Sequence, residues 1–524
     1  MERKEQLTIS HFLSINAKQE PNQTAIGYRN MTYTSLEFEE ITDRTAFYFL
    51  EKGIKCGDHV GIWGANSINW VITYYALAKI GAVSVLINFK YKRQELIFAA
   101  EYADLAFLCY GRGHREREIM DVFYELKKGH GIHCIDIETD EIYGHGIWDQ
   151  RRLKMEKDKV SEDSVLCMLF TSGTTSKPKG VMLTQYQMLR TAKTVCAQMG
   201  WTKEDKICLP LSLFHCFGLS TGLLSSLVLG CSIYLTESFR TAEVLGMVQR
   251  EKCTVLNGVP SMFLTMIKNS EFSNYDTSSL CSGIIAGSRI RVSDYRAICQ
   301  MFPTLDLLQS YGQTEASPSI TFVDDGDSKK HKESSVGKAA PGVSIRIRCE
   351  QGQKQDETAG EIQIKGFNVM KFGYYKNPEE SKKAFTNDGW LKTGDIGCLD
   401  DEGYLYITGR KKDIIIRCGE NISPAEIEDV MLKFPEIVEA KVFGVPDART
   451  QEEVAAVIQC EHNWDETKFY EYLKQEIADY KIPRYISRIE SFPLLANGKV
   501  DMKRLKDDLC KSIRRTRNEF HTTT

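Results

Sequence analysis

The sequence has no C-x-x-C pair among its 16 cysteines, no apolar run of signal-peptide length near Met1, no internal repeat and no low-complexity tract. Each absence excludes something. Scattered cysteines without paired spacing argue against a zinc site. Without a secretory leader they also argue against a disulfide framework. A reducing cytosol, and so a cytoplasmic protein, is the expectation. Excess charge is missing too: 67 Lys and Arg face 71 Asp and Glu, a net charge of −4. No general affinity for nucleic acid or acidic membrane follows from that balance. The basic stretch "KSIRRTRNEF" is short and reads as a solvated end.

One run has no fixed charge at all, 211–236, "LSLFHCFGLSTGLLSSLVLGCSIYLT". Its length could span a bilayer. Yet its serines, threonines, three glycines and one histidine, with no flanking Lys/Arg cluster, predict a buried helix followed by a strand. No transmembrane segment is expected.

What the chain does have is length and alternation. Its 524 residues, 42% hydrophobic and 26% charged, match a soluble globular composition. At ~150 residues each they would fill about three domains' worth of core. Short apolar runs read as strands at 59–64, 82–88, 164–170, 253–260 and 281–287, and "SINWVITYYALAKIG" between two of them has helical spacing. Strand–helix alternation predicts an α/β fold of parallel-rich sheets covered by helices. Near residue 400 the pattern changes to polar–apolar alternation around turns. A helix at 424–433, strands at 438–444 and 453–460, and a helix at 466–478 then make a compact α+β unit. The expected division is a large domain, 1–410, and a small mobile one, 411–524, with "GRKKD" as hinge.

The run "TSGTTSKPKG" (171–180) cannot build a core: seven of its ten residues are Thr, Ser or Gly and two are Lys. Hydroxyls, glycines and ammonium groups suit a loop that wraps phosphate. Its glycines lie too far apart for G-x-x-x-x-G-K-[ST], so the run alone leaves two readings, another phosphate loop or a flexible turn. It follows a predicted parallel strand, and ligands gather at the carboxyl ends of such strands.

Seven segments then occur in order: "LFTSGTTSKPKGVMLTQ", "LFHCFG", "LLQSYGQTEASP", "SVGKAAPG", "GWLKTGDIG", "ITGRKKDIIIRCGENISPAEIE" and "PLLANGKVDMKRL". Together they resemble the acyl-adenylate-forming enzymes over essentially the whole chain, and medium- and long-chain fatty acyl-CoA synthetases in particular. The resemblance implies an ATP-dependent ligase that turns a carboxylic acid into acyl-AMP and passes the acyl group to a thiol. Such chemistry holds two anions together and stabilises charge on phosphorus, which asks for cations and donors. ATP, Mg2+ and coenzyme A are the implied cofactor and co-substrates.

By that resemblance Thr171, Ser172, Gly173, Thr174, Thr175 and Lys179 form the phosphate cradle, with Ser176 where glycine is usual. Tyr311 stacks on adenine, Gly287 runs backbone beside it, Thr314 contacts phosphate, and Glu315 is the Mg2+ carboxylate, an oxygen ligand such as a hard cation wants. Asp395 and Arg410 hold the ribose. Lys499 reaches the α-phosphate and the acid. Lys412 is the pivot of the small domain, and Gly419 belongs to the segment that shapes the thiol tunnel, here with Arg417 and Cys418 before it.

His215 resembles the gate beside the substrate carboxylate. No Asp lies between residues 206 and 238 to pair an amino group, so amino-acid activation is disfavoured. Gly218, Gly222 and Ser226 recur at i, i+4 and i+8, one bare helical face that an acyl chain could follow or a neighbouring helix could pack on. An aliphatic acid of medium or long length is expected. Loading a carrier protein's phosphopantetheine, an aryl acid, and a non-catalytic binding protein are the alternatives. The sequence does not fix the oligomeric state.

Overall fold

The computed structural model describes residues 6–111, 116–144, 148–171, 178–288, 290, 292–348, 359–410, 415–422, 424–460, 464–493 and 500–521. The chain divides into two compact units. The first comprises Met1–Phe89, Ile97–Thr171 and Lys179–Lys411, the second Lys90–Leu96, Ser172–Pro178 and Lys412–Thr524.

Two parallel-rich sheets dominate the first unit. One holds six strands in the spatial order His133–Asp136, Phe107–Tyr110, His59–Trp63, Val83–Ile87, Val165–Thr171, Lys179–Thr184. All neighbours are parallel except the last pair. The other holds nine strands and is parallel from Asp306–Tyr311 through Ser282–Ile285, Val255–Leu256, Lys206–Leu209 and Ser232–Leu235 to Thr24–Tyr28. Antiparallel strands flank both ends. A four-stranded antiparallel sheet, Val343–Arg348, Gly360–Gly366, Leu391–Leu399, Leu405–Arg410, completes the unit.

Parallel sheets survive when both faces are covered, and residues 59–87 show how. Strand His59–Trp63 buries its last four residues. Helix Ile68–Lys79 begins at Ser67, whose hydroxyl accepts from the Trp70 N–H at 3.1 Å. The helix is apolar nearly all round and buried nearly all round. Lys79, its one charge, is fully buried, and its ammonium donates to Glu39 and Asp43 at 2.6 Å each and to Thr42 at 2.7 Å. A buried cation is tolerable only with partners like these.

The uncharged run 211–236 folds as a buried helix and strand, and no helix among the described residues is long and apolar enough to cross a membrane. Gly218–Leu224 is a π-helical stretch that continues as the α-helix Ser225–Leu229. Of the two uses left open for the bare face, acyl-chain groove or packing surface, the two glycines answer to packing. A Cβ on Gly222 would lie 2.3 Å from Leu209 Cδ1, and one on Gly218 would lie 2.7 Å from the Ser212 carbonyl oxygen. Both glycines therefore allow close packing against neighbouring chain. Ser226 instead lines a small cavity with Leu13, Phe38 and Tyr75.

The second unit has a five-stranded sheet. Glu420–Ile422, Ile415–Arg417, Gln451–Cys460 and Ile437–Asp447 pair antiparallel, and Tyr485–Arg488 joins Gln451–Cys460 in parallel. Ile415, Ile427, Val442, Ala456, Phe469 and Leu473 belong to its core.

Candidate active site

The hairpin Val165–Thr171 and Lys179–Thr184 closes with Thr171 directly opposite Lys179. Ser172, Gly173, Thr174 and Thr175 lie outside the described residues. Lys179 is 6% exposed. Its ammonium meets the Glu380 carboxylate at 2.5 Å and sits 4.7 Å from the centre of the Tyr374 ring. Hydrogen bonds from Lys179 and then Lys383 hold the Glu380 carboxyl down to about 2, so Glu380 stays charged at neutral pH.

Tyr374 also reaches Glu315. Its hydroxyl donates to Glu315 Oε1 at 2.9 Å, and Thr171 Oγ1 lies 3.5 Å from the same oxygen. Burial, then the Glu315 and Glu380 carboxylates, push the Tyr374 hydroxyl far above its ordinary value. It remains a donor at any physiological pH. The Glu315 backbone is pinned as well, its carbonyl accepting from the Met370 N–H at 2.8 Å.

The turn that carries Thr314 and Glu315 is rigidly made. A side chain on Gly312 would run into the Pro318 carbonyl, 1.2 Å from the Cβ position. Asn368, fully buried, donates to the Ala316 and Ser319 carbonyls at 3.1 and 2.7 Å. Its own carbonyl accepts from Ser317 Oγ at 2.7 Å. Thr314 Oγ1 meets the Cys216 thiol at 3.3 Å. Burial pushes that thiol up to about 11, so Cys216 is a neutral neighbour and not a nucleophile.

Tyr311 donates its hydroxyl to Asp395 Oδ2 at 2.6 Å, and Asp395 is only 4% exposed. Asp395 stands opposite Arg410 in the register of their antiparallel strands. Gly287 has φ +87°, a conformation glycine adopts without strain, and a Cβ there would sit 3.1 Å from Val259 Cγ1. His215 follows Phe214, with ring centres 4.2 Å apart. Hydrogen bonds thus join Thr171, Glu315 and Tyr374, and separately Tyr311 with Asp395. Gly419 lies in the second unit, in the two-residue turn Cys418-Gly419. Lys412 and Lys499 fall outside the described residues.

Four participants were not legible as such. Tyr374, Glu380, Asn368 and Cys216 acquire meaning only through partners distant in sequence. "KNPEE" does announce a helix start, and Asn377 caps Pro378–Ala384 by accepting from the Glu380 N–H at 3.1 Å. Where Glu380 would point was not readable.

A lone glutamate is a sufficient protein ligand for a cation that also binds phosphate oxygens. Glu315, with one oxygen fixed by Tyr374, fits that use. No cluster of three or more His, Cys, Asp or Glu able to hold an ion by itself occurs among the described residues.

Residues 13–375 match the family described as AMP-binding enzyme, and 426–499 the AMP-binding enzyme C-terminal domain. YngI of Bacillus subtilis (strain 168), provisionally named as an acyl-CoA synthetase, is 36% identical over 535 residues, covering 95% of this chain and 96% of its own. The mitochondrial medium-chain acyl-CoA ligase ACSF2 of Bos taurus is 31% identical over 539 residues, 96% of this chain and 87% of that one. Among solved structures, a double mutant of o-succinylbenzoate CoA synthetase (MenE) from Bacillus subtilis, bound with its product analogue OSB-NCoA, superposes with a TM-score of 0.83 at 29% identity. It covers 95% of this chain and 98% of that one. The chain belongs to the AMP-binding enzyme family, as an acid–thiol ligase of the acyl-CoA synthetase kind.

Proposed function

We propose that this acyl-CoA synthetase activates a medium- or long-chain fatty acid with ATP and Mg2+ and transfers it to coenzyme A, releasing AMP and pyrophosphate. The observation that carries the adenylation half is the placement of Glu315 beside Thr171, at the end of the strand that enters the Thr/Ser/Gly loop. A bound Mg2+ would neutralise charge on the phosphates. Glu315 would hold it. Thr171, Ser172, Gly173, Thr174 and Thr175 would surround the phosphates, and Thr314 would donate to one. Tyr311 and Gly287 would flank adenine, with Asp395 and Arg410 on the ribose. His215 would border the acid. Lys499 would bring the cation that meets charge developing at the α-phosphate. Lys412 and Gly419 would serve the exchange between half-reactions.

The fatty-acid reading rests on the uncharged, buried surroundings of 211–235 and on the medium-chain name of a 31% identical relative. The test is AMP release across saturated acids of increasing length, aryl acids and amino acids, each with CoA, with a phosphopantetheinyl carrier protein, or with neither. The expected result is CoA-dependent turnover that peaks on aliphatic acids. Turnover peaking on an aryl acid, or requiring the carrier protein, would overturn it.

A further inference from the structure

The side chains around Glu315, with Lys179 buried and the others half-buried, form a strut. Lys179 and Glu380 are ion-paired at 2.5 Å, the Lys179 ammonium lies 4.7 Å from the Tyr374 ring centre, and the Tyr374 hydroxyl donates to Glu315 at 2.9 Å. Each contact has a physical job. Lys179 is almost wholly withdrawn from water and needs a counter-anion. Glu380 supplies it from the first turn of the helix Pro378–Ala384. The aromatic face beneath the ammonium favours the same position. The ring then has little freedom, because strand and helix both hold its backbone. Tyr374 pairs with Val181 in a strand bridge, and its N–H donates to Ser381 Oγ at 2.8 Å. A ring fixed in this way aims its hydroxyl at one carboxylate oxygen of Glu315.

We propose that Tyr374 is a positioning residue for the cation carboxylate Glu315, and that Lys179 acts through this strut and not as a ligand of phosphate. The proposal rests on the adenylation reading above. With Oε1 taken by Tyr374, Oε2 is the oxygen presented to the cation. Partners that orient a ligating side chain typically change metal affinity by ten- to a hundredfold when removed. A lysine already satisfied by a carboxylate and a ring has no remaining reason to move toward phosphate. A phosphate ligand would instead gain from losing its competitor, and this difference can be measured.

The experiment uses the full chain, its Tyr374→Phe and Glu380→Gln variants, and the double variant. Tyr374→Phe removes one oxygen and leaves the ring. Two readouts are taken. Mn2+ binding is titrated by electron paramagnetic resonance with a non-hydrolysable ATP analogue present. Affinity for the same analogue is measured calorimetrically without divalent cation. Tyr374→Phe is expected to weaken Mn2+ binding about tenfold and to leave cation-free nucleotide affinity unchanged. Glu380→Gln is expected to shift Mn2+ binding in the same direction, with the double variant no worse than the more affected single one, as for members of one unit. In turnover, the Mg2+ concentration for half-maximal rate should rise while the rate at saturating Mg2+ recovers, a split that general loosening of the fold would not give. Unchanged Mn2+ binding in Tyr374→Phe would overturn the positioning role. Tighter cation-free nucleotide binding in Glu380→Gln would overturn the Lys179 assignment, showing a phosphate ligand held back by Glu380. Neither binding readout needs an acid or CoA, so failure of the fatty-acid reading would leave this test standing.

Discussion

The segment 311–319 and the helix 218–229 lie in the same unit, and both are buried for much of their length. They differ in what their own side chains do. Around 311–319 the fixing contacts are polar and come from distant chain: Asn368 takes two carbonyls, Tyr374 one carboxylate oxygen, and Tyr311 itself reaches Asp395. Along the helix the side-chain hydroxyls mostly turn back on their own turn, Thr221 to the Phe217 carbonyl and Ser226 to the Leu223 carbonyl. Its backbone carbonyls take distant donors, Thr221 from Asn257 at 3.1 Å and Leu223 from Tyr75 at 3.3 Å, and at glycine 222 it offers shape, flush against Leu209. The proposed chemistry therefore depends on side-chain partners on one segment, and packing on missing side chains at Gly218 and Gly222 on the other. Substitutions in the first should cost activity, and those in the second should cost stability.

The sharpest test of that division is Glu315→Gln. Glutamine keeps the shape and can still accept from Tyr374, but it brings no charge to a cation. Loss of one preorganised electrostatic contact typically lowers the rate about 10²–10³-fold. Acid-dependent pyrophosphate release should fall by that much while the melting temperature hardly moves. A rate within about threefold of wild type, well below that range, would remove Glu315 from the reaction.

Asn368→Ala is the intermediate case. The Ala316 and Ser319 carbonyls would lose their donor while staying in the interior, and a buried group left unsatisfied costs about 1–3 kcal/mol. Urea unfolding should report a loss of that size. Adenylation should fall as well, since the turn displaying Thr314 and Glu315 loses its clasp. Full stability with full activity would show that water replaces the amide.

Gly222→Leu should do the reverse. Overpacking a core costs about 1–3 kcal/mol, and the first added atom already collides with Leu209. The expected result is a lower unfolding midpoint with an unaltered profile of kcat/KM across acid chain length. A stable variant that prefers shorter acids would restore the groove reading and break the comparison.

How much of this was legible follows from the same contrast. Residues 59–87 declare themselves because local patterning and burial agree: strand, capped apolar helix and strand lie in the chain as expected. The Gly218, Gly222 and Ser226 spacing left groove and packing face undecided because spacing does not tell what lies opposite, and Leu209 and the Ser212 carbonyl lie against the two glycines. Tyr311, Thr314 and Glu315 could be picked out by their motif. Their holders could not, because Tyr374 is 59 residues from Glu315 and Glu380 is 201 residues from Lys179. Such partnerships are products of the fold, and only the fold reveals them.

The smallest expected effect lies in the second unit, at the turn between Ile415–Arg417 and Glu420–Ile422. Arg417 pairs with Glu420, so two residues make the bend, Cys418 at φ +51° and Gly419 at φ +82°. Two left-handed residues in a two-residue hairpin match the twist of the flanking strands, and asparagine or glycine is preferred at the first position. Cysteine there holds its Cβ against the following carbonyl, a strain of about 1–2 kcal/mol in this region. Asparagine tolerates the conformation better and avoids the extra unfolded-state freedom of glycine. Cys418→Asn should therefore stabilise the hairpin by part of that strain, about 1 kcal/mol or less. That gain should appear as slower hydrogen exchange of its amides, while adenylation, for which Cys418 supplies no proposed contact, stays at the wild-type rate. The turn also stabilises itself from outside, since the Cys418 N–H donates to the Thr450 carbonyl at 3.1 Å, and the substitution keeps that bond. Faster exchange in the variant would mean that the cysteine side chain contributes packing worth more than its backbone strain. Shape would then govern this turn as it governs the helix at Gly222, and the division between partner-held and shape-held segments would extend to both units.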